Sequence, residues 1–485
     1  MKVIMCAAKD IDAMKAGILD RTINNLWRVW GGVSNSTLSY LHGDPRPELP
    51  PEDLEKVFDK VDKCIDGIGD EASLRSQAAQ IGQVYIRLNT DGRRNFLIEL
   101  GKRYGVDRHK VDASIDSIKQ AGSSEPERSL AEEKLRRALE PRWRSLIGRL
   151  TTLPEGVKFL VDMRAEMLSL QPKEEALTHL SGDLRLMLSA WFDIGLLELV
   201  RIDWDSSASL LEKLIAYESV HAIKSWDDMK NRLDVDRRCY AFFHPNMPNE
   251  PLIFVQVALV DGISQNVSEL LDETKPAVDP TDANTAIFYS ISNAQRGLDG
   301  ISFGNFLIKQ VVEELSKELP NLKTFSTLSP IPGFSKWFSN QVKEDASGLL
   351  TKIDKKKLSP YTDAQTDEGI LTDVFGHIQQ RTSDCSEIDK ELSDFFIKLA
   401  AIYLVTAKGK NGRVRDPVGH FHLSNGARIE RINWDADNSA RGREQSFGLM
   451  VNYLYNLRDI KDNSSSYESD KIVAQSASVR SILRG

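Results

Sequence analysis

The hydrophobic pattern along the chain changes its period near residue 194. Before that point, apolar residues recur every three or four positions, which is the spacing of one face of an α-helix. Eight segments carry this pattern, with Gly, Pro or Asn-Thr-Asp breaks between them: 52–68, 71–87, 93–104, 107–121, 125–139, 141–149, 155–170 and 173–191. Amphipathic segments of this length with short links predict an antiparallel helical bundle.

Beyond residue 194 the pattern shortens to that of strands. A nearly continuous apolar run over 252–260 fits a strand buried on both faces. Further β-branched or aromatic segments predict strands at 196–204, 238–243, 285–291 and 324–328. We therefore predict a second domain built on a mixed central sheet.

Three other segments of the second half have a pattern of their own. Residues 341–396 are polar and helical, which indicates an insertion. Residues 420–423 and 427–434 flank Ser-Asn-Gly, which predicts a β-hairpin. The Ser-rich segment 463–485 is typical of a flexible tail.

These patterns predict an α+β protein of two domains. Residues 1–190 form an all-α helical domain, which we expect to act as an oligomerisation or scaffold unit. Residues 191–485 form an α/β domain, and because candidate chemistry lies only there, we expect it to be catalytic.

Composition excludes several classes of protein. With 41% hydrophobic and 28% charged residues among 485, the chain is expected to be globular, and no apolar run approaches the ~20 residues of a membrane span. A net charge of −8 argues against nucleic acid as a partner. The four cysteines are widely scattered, which favours a reducing compartment over a zinc site or a disulfide framework. Neither terminus shows a targeting signal, so we expect a bacterial cytoplasmic protein.

The strand predicted at 285–291 leads into a glycine-rich turn and then a helix. Gly297, Gly300 and Gly304 leave the backbone free of side chains, and the free N–H groups of a helix N-terminus suit a phosphate. A tight structural connection explains the same glycines. The turn lacks G-x-G-x-x-G, and it meets the acyl-CoA motif [Q/R]-x-x-G-x-[G/A] only in part, since Asp299 and Ser302 replace two of its residues.

Two further patterns carry candidate chemistry. Ser329 stands between a short strand and the Pro-Ile-Pro-Gly turn, where it is either a simple cap or a fixed hydroxyl. His420 and His422, two apart on a predicted strand, would point the same way, as two metal ligands or as one proton carrier beside a serine. Lysines and arginines near the glycine turn are either phosphate ligands or solvated surface charges, among them Arg296 and Lys309.

Several longer blocks closely resemble the malonyl-CoA decarboxylase family. They are FHPNMPNEPLIFVQVAL (243–259), FYSISNAQRGLDGISFGNFLIKQVV (288–312), FSTLSPIPGFSKW (325–337), FHLSNGARIERINWDAD (421–437) and GLMVNYLY (448–455). The segment 138–168 is similar to the helical region of that family. The resemblance covers roughly residues 60–460.

The resemblance implies a fold and an activity. Enzymes of this family join a helical domain to an acetyltransferase-like domain, and they convert malonyl-CoA to acetyl-CoA and carbon dioxide without metal, biotin or another cofactor. The family's catalytic serine falls on Ser329, its histidine on His422, and a tyrosine near the pocket on Tyr455. Some relatives carry a glutamate at the position of Ser302, and His420 could partly replace it.

We expect CoA to be bound by Ser292, Arg296, Gly297, Gly300, Ser302, Gly304, Asn305 and Lys309, with His420 and Asn425 as possible support. We expect backbone N–H groups of the strand after Ile291 to stabilise the enolate, and His422 to protonate it. Ser329 either relays the proton or binds the carboxylate. Two other functions remain open: a CoA-dependent acyltransferase and a non-catalytic acyl-CoA-binding scaffold. We expect a homodimer or homotetramer formed through the helical domain.

Overall fold

The computed structural model describes residues 45–484 except 123, 172–173, 302–303, 345, 347 and 380–389, together with residues 26, 29–30 and 32. The chain divides into two compact units. The first comprises residues 1–198, 243–252 and 294–302, and the second comprises 199–242, 253–293 and 303–485.

The first unit is a helical bundle. Its described helices are α1 Pro51–Asp66, α2 Glu71–Arg87, α3 Thr90–Arg103, α4 Arg108–Ala121, α5 Glu125–Ala138, α6 Trp143–Thr151, α7 Gly156–Leu170 and α8 Ala176–Trp191. Each predicted helical segment overlaps one of them. Asp70, Asn89 and Asp107 each precede a helix and accept a hydrogen bond from a backbone N–H of its first turn.

Aromatic rings fill the core of the bundle. The ring centroids of Phe58 and Phe96 lie 5.3 Å apart, and those of Tyr85 and Phe159 lie 5.5 Å apart with edge-to-face geometry. The Trp30 ring packs edge-to-face on Phe159 at 4.9 Å. Such pairs add about 0.5–1.5 kcal/mol each beyond the burial of their area. The apolar helix faces seen in the sequence are therefore joined by ring contacts.

The second unit is built on an eight-stranded mixed sheet. Its strands are β1 Glu198–Ile202, β2 Arg237–Phe243, β3 Ile253–Val260, β4 Thr285–Asn293, β5 Thr324–Thr327, β6 Ser329–Pro330, β7 Arg428–Asn433 and β8 Met450–Leu454. Their order is β1-β2-β3-β4-β5-β8-β6, with β7 paired to β8. Neighbouring pairs from β2 onward are antiparallel, apart from the parallel pair β4–β5. The predicted α+β class, a helical bundle followed by a mixed-sheet domain, is confirmed.

Helices surround the sheet. They are α9 Ala208–Tyr217, α10 Trp226–Asn231, α11 Val267–Leu270, α12 Gly304–Glu318, α13 Phe334–Glu344, α14 Lys352–Leu358, α15 Asp367–Gln379, α16 Lys390–Thr406, α17 Pro417–Ser424, α18 Ala440–Ser446, α19 Ile460–Asp470 and α20 Ala477–Arg484. Helices α13 to α16 fall in or overlap the segment 341–396. Across the part of the chain that the structure describes, no helix has the length and apolarity needed to cross a membrane.

Strands β4 and β5 run side by side and then separate. They pair from Thr285 with Thr324 to Phe288 with Thr327, and the Leu328 N–H then donates to the Phe288 carbonyl at 3.1 Å. On the other side of β4, Gln256 pairs with Ser290 and Val257 with Phe288, so Tyr289 is an extra residue and forms a β-bulge. Beyond this bulge the chain that follows β5 pairs with β8 instead of β4.

Two predictions from the sequence were wrong in this unit. The first half of the predicted hairpin is helix α17, because Asp416 followed by Pro417 places an N-cap residue and a preferred first helical residue directly before it. The predicted flexible tail instead forms α19 and α20, and Tyr467 and Val479 from these helices are buried. The serine-rich composition of this segment therefore did not reveal that it forms two helices with buried side chains.

The close packing of α2 in the first unit yields a test. A Cβ atom built on Gly82 would lie 2.1 Å from the Trp30 ring. We expect Gly82→Ala to lower the free energy of unfolding by about 1–3 kcal/mol, which is the usual cost of overpacking a core. The matched control is Gly182→Ala in α8, where nothing lies within 4 Å of the added atom. That control should be neutral or stabilising by about 0.5–1 kcal/mol, and chemical denaturation measures both. Equal stability of the two variants would contradict the packing described.

Candidate active site

Ser329 and His422, which are 93 residues apart in sequence, meet in the second unit. Ser329 opens β6, and its Oγ lies 3.1 Å from Nε2 of His422 on α17. The other ring nitrogen, Nδ1, lies 2.7 Å from the hydroxyl of Tyr455, directly after β8. All three side chains are buried. The structure therefore brings together the three residues expected to be catalytic.

A buried carboxyl group connects the segments that carry Ser329 and His422. Asp416 caps α17 by accepting a hydrogen bond from the Gly419 N–H at 2.8 Å. Its other oxygen faces the Gly333 N–H at 3.4 Å and the Tyr403 hydroxyl at 3.3 Å. Burial raises the pKa of Asp416 to about 6. Because Gly333 ends the Ser-Pro-Ile-Pro-Gly turn, this group fixes the helix relative to the turn.

The imidazole of His422 is neutral across the physiological pH range. Burial without a charged partner lowers its pKa to about 3. The ring stacks on Tyr453, with centroids 4.6 Å apart and an angle of 26° between planes. A neutral imidazole has one N–H donor and one acceptor nitrogen, so its hydrogen-bond partners decide where the proton lies.

The surrounding hydrogen bonds favour the proton on Nε2. The Ser329 hydroxyl donates to Thr327 Oγ1 at 2.8 Å, which leaves the Ser329 lone pairs to accept from His422. Burial raises the pKa of Tyr455 well above its usual range, so its hydroxyl keeps its proton and donates it to Nδ1. The resulting N–H at Nε2 is a positioned proton donor.

Ser329 and His422 lie beside the place where β4 and β5 separate. Ser290 and Ser329 each follow the Phe288–Thr327 pair by two residues, one on each side of the separation. The Ala294 N–H donates to the Leu252 carbonyl, so these two residues form a hydrogen-bonded pair that continues the ladder between β4 and β3. Hydrogen-bonded and non-hydrogen-bonded pairs alternate along an antiparallel ladder, so the N–H and C=O of Ile291, three residues earlier, point away from β3. The backbone groups of Ile291 therefore face the gap between the strands, where a ligand can accept a hydrogen bond.

The residues predicted to bind CoA lie in both units. In the second unit, Ser292 is buried at the end of β4, and Lys309 is exposed on α12, which begins at Gly304. In the first unit, Arg296 is exposed and Gly300 has a left-handed backbone. Ser302 lies outside the described residues, and only the backbone of Asn305 is described, as part of α12.

Gly297 has a packing explanation within the first unit. A Cβ atom at this position would lie 1.8 Å from the carbonyl oxygen of Val161. The buried Arg164 side chain donates to the carbonyl oxygens of Gly297 and, at 2.8 Å, of Asp299. Contact with α7 is therefore enough to require glycine here, and its role toward phosphate remains a prediction.

The two histidines of the His-Phe-His motif do not point the same way. Because they lie on a helix, residues two apart are separated by roughly 200° around the axis. His420 instead lies against Tyr467, with Nδ1 2.9 Å from its hydroxyl. Across the described part of the chain, no group of three His, Cys, Asp or Glu side chains is placed to hold a metal ion. Asn425 directly follows α17 as its C-cap, and its side-chain amide donates to the Phe421 carbonyl at 2.6 Å.

Two further residues of the site, Thr327 and Tyr453, were not predicted from the sequence. Thr327 Oγ1 accepts both the Ser329 hydroxyl and, at 3.1 Å, the Tyr453 N–H. Each residue stands two positions from a predicted catalytic residue, and side chains two apart on an extended chain share a face. This spacing is the signal that could have identified them.

Comparison with known proteins gives a consistent result. The family profile described as "Malonyl-CoA decarboxylase C-terminal domain" matches residues 195–485, and "Malonyl-CoA decarboxylase N-terminal domain" matches residues 104–192. The chain is 36% identical over 473 residues to the mitochondrial malonyl-CoA decarboxylase of Mus musculus, covering 94% of this chain and 92% of that protein. It is 38% identical over 422 residues to that of Anser anser anser, covering 84% and 83%.

Solved structures agree. The malonyl-CoA decarboxylase of Rhodopseudomonas palustris superimposes with a TM-score of 0.80 at 40% identity, over 88% of this chain and 99% of that one. The enzyme of Agrobacterium vitis gives a TM-score of 0.75 at 38% identity, with the same coverage.

The protonation state of His422 can be measured directly. We expect ¹⁵N chemical shifts at pH 5 to show a neutral ring with its proton on Nε2, because the folded pKa of about 3 lies well below that pH. Tyr455→Phe removes the donor to Nδ1 and should allow the second tautomer to appear. His422→Asn assigns the signal. Since the folded pKa lies below the unfolded value of about 6.5, the stability due to this group falls as pH drops from about 6.5 toward 3. An imidazolium signal at pH 5 would contradict the burial argument.

Proposed function

This chain belongs to the malonyl-CoA decarboxylase family. We propose that it converts malonyl-CoA to acetyl-CoA and carbon dioxide. The observation that carries the proposal is the hydrogen-bonded series Ser329, His422 and Tyr455 beside the separated strands β4 and β5. A proton donor next to a gap lined by backbone N–H groups is what decarboxylation of a thioester requires.

The reaction breaks one carbon–carbon bond. Its electron pair moves into the thioester carbonyl as carbon dioxide leaves, and the product is an enolate with negative charge on oxygen. The Ile291 N–H, which faces the gap, stabilises this oxyanion. One such donor is typically worth about 10²–10³-fold in turnover. His422 then transfers the proton on Nε2 to C2, which completes acetyl-CoA.

Tyr455 supports this proton transfer. As Nε2 loses its proton, negative charge develops on the imidazole, and the hydroxyl that donates to Nδ1 stabilises it. A proton from solvent restores the ring after the product leaves. The proposed mechanism uses side chains and backbone groups of this chain and requires no metal or organic cofactor.

Ser329 has two candidate roles. Its hydroxyl donates to Thr327, and its lone pairs face His422, which supports a role in holding the Nε2–H in place. Binding the malonyl carboxylate instead would require the hydroxyl to turn away from Thr327. The hydrogen-bond pattern favours the positioning role.

The phosphates of CoA bind near the start of α12. The first N–H groups of this helix, which begins at Gly304, have no acceptor within the helix and can donate to an anion, and Lys309 lies exposed one turn later. Arg296, Gly300, Ser302 and Asn305 are further candidates from the same stretch of chain. Ser292 lies at the end of β4, beside the path that we assign to pantetheine.

Assembly and location are part of the same proposal. Two residues of the helical hairpin α4–α5, Leu130 and Ile115, are 56% and 37% exposed, which supports association of two or four copies through the first unit. Light scattering should therefore give two or four chain masses, and Leu130→Glu should lower that mass. A monomeric wild-type protein would contradict this proposal.

The buried free thiols of Cys64 and Cys239, and the bacterial relatives, support a bacterial cytoplasm.

The catalytic proposal is tested with malonyl-CoA alone. Release of carbon dioxide and formation of acetyl-CoA should occur at equal rates without an acceptor. We expect His422→Asn to lower kcat by about 10²–10⁴-fold, the value of a positioned acid. Ser329→Ala should lower it less if the serine only positions the histidine. Lys336→Ala, at an exposed lysine on α13, is the matched control and should retain activity.

Other outcomes would point elsewhere. A CoA-dependent acyltransferase would release no carbon dioxide and would require an amine or hydroxyl acceptor. A non-catalytic acyl-CoA scaffold would raise the melting temperature on binding and never turn over. Wild-type rates in both the Ser329 and His422 variants would overturn the mechanism.

A further inference from the structure

Glu218 is a buried carboxyl group in the second unit that the mechanism above does not use. It follows α9 directly and is 6% exposed. Five groups donate hydrogen bonds to its two oxygens, at distances of 2.8–3.1 Å: the backbone N–H groups of Val220 and His221, the side-chain amide of Gln256, and the hydroxyls of Ser290 and Ser292. A carboxylate surrounded only by donors is fully satisfied without a directly bonded cation.

These donors come from three separate segments. Gln256 lies on β3, Ser290 and Ser292 lie on β4, and the backbone donors belong to the chain after α9. The side-chain oxygen Oε1 of Gln256 accepts hydrogen bonds from the Tyr289 hydroxyl at 2.9 Å and from the Arg232 guanidinium at 3.3 Å. The side chains of Glu218 and Gln256 therefore hold Tyr289, Ser290 and Ser292 of β4 by hydrogen bonds. Ile291 lies between the two serines.

The segment held in this way is the part of β4 that no longer pairs with β5. Up to Phe288 it lies between β3 and β5, and past the bulge the described strands pair with it only on the β3 side. A strand end with one paired edge can bend toward the open side, where its N–H groups would find other partners. Side-chain hydrogen bonds to Glu218 restrain Ser290 and Ser292, and these two residues flank Ile291.

We propose that Glu218 is a positioning residue for the decarboxylation: by holding Ser290 and Ser292 it fixes the Ile291 N–H toward the thioester oxygen. This inference rests on the proposed function. The carboxyl group of Glu218 is bonded by protein donors, and we assign it no contact with the substrate. Its effect reaches the reaction through two hydroxyls and one peptide group, because the direction of that peptide is set by the residues on either side.

The substitution Glu218→Gln isolates this effect. It keeps the size of the side chain but replaces one acceptor oxygen with an NH₂ donor, so five donors then face a single acceptor. At least one of the serine hydroxyls loses its partner and turns elsewhere. A misplacement of about 1 Å near reacting groups costs about 10²-fold in rate. We therefore expect kcat to fall by about 10–100-fold.

The readout must distinguish positioning from general loss of structure. Glu218 is not among the residues that we assign to CoA, and the pairing of β4 with β3 keeps the backbone of Ser292 in place, so we expect the Kd of acetyl-CoA from calorimetry to change less than about threefold. In the wild type, infrared spectra of ¹³C-labelled acetyl-CoA should show the thioester carbonyl band shifted to lower frequency by the Ile291 N–H. Glu218→Gln should lose that shift.

The matched control is Asp354→Asn. Asp354 is another buried carboxyl group of the second unit, and it accepts hydrogen bonds from Thr351 and, at 2.7 Å, from Lys398. Its substitution should lower the melting temperature as Glu218→Gln does, yet leave kcat and the infrared shift unchanged. If Glu218→Gln fails to fold, Ser290→Ala, which leaves Ser292 in place, tests the same link and should also lower kcat without weakening acetyl-CoA binding.

Each result decides the proposal. Wild-type kcat in Glu218→Gln would overturn it, and so would a parallel loss of kcat and of acetyl-CoA binding, which would indicate a structural role only. An equal loss of kcat in Asp354→Asn would overturn it as well. Failure of the proposed function looks different, because the unmodified protein would then release no carbon dioxide from malonyl-CoA.

Discussion

Strands β4 and β5 are hydrogen-bonded over four residues and then separate, and the site depends on that separation. The extra residue Tyr289 bends β4 at this point, and the chain carrying Ser329 leaves β4 to pair with β8. Backbone N–H groups that would be hydrogen-bonded to a neighbouring strand in a continuous sheet therefore face a gap. The sheet itself thus supplies the donors, and the residues on either side of the gap supply the proton.

Burial determines the chemistry of the histidine. Removed from water and without a charged partner, His422 has a pKa of about 3 and stays neutral. Its two ring nitrogens then have opposite roles, which the hydroxyls of Tyr455 and Ser329 assign. Asp416 holds α17 and the turn after Ser329 with the same carboxyl group, so the distance between hydroxyl and imidazole is fixed by the backbone as well as by their own contact. A proton donor placed in this way needs little rearrangement during the reaction.

The sequence predicted the helical bundle, the mixed sheet and the three residues that meet at the site, because apolar periodicity and the resemblance both report on them. It failed at α17, where the strand-like apolar residues and the Ser-Asn-Gly turn outweighed the Asp416–Pro417 helix start. Glu218 could not have been found by spacing, since its side-chain partners stand 38 to 74 residues away and meet only in the folded sheet. The glycine at 297 was predicted to approach phosphate, whereas contact with Val161 already accounts for it.

The central claim is that the thioester of a CoA substrate lies in the gap between β4 and Ser329. A crystal structure of the protein with bound acetyl-CoA tests it most directly. Our account predicts the carbonyl oxygen of the thioester within about 3.2 Å of the Ile291 N–H, with the acetyl methyl carbon facing Nε2 of His422. A thioester bound elsewhere, or β4 and β6 closed against each other with no room for the pantetheine chain, would contradict it.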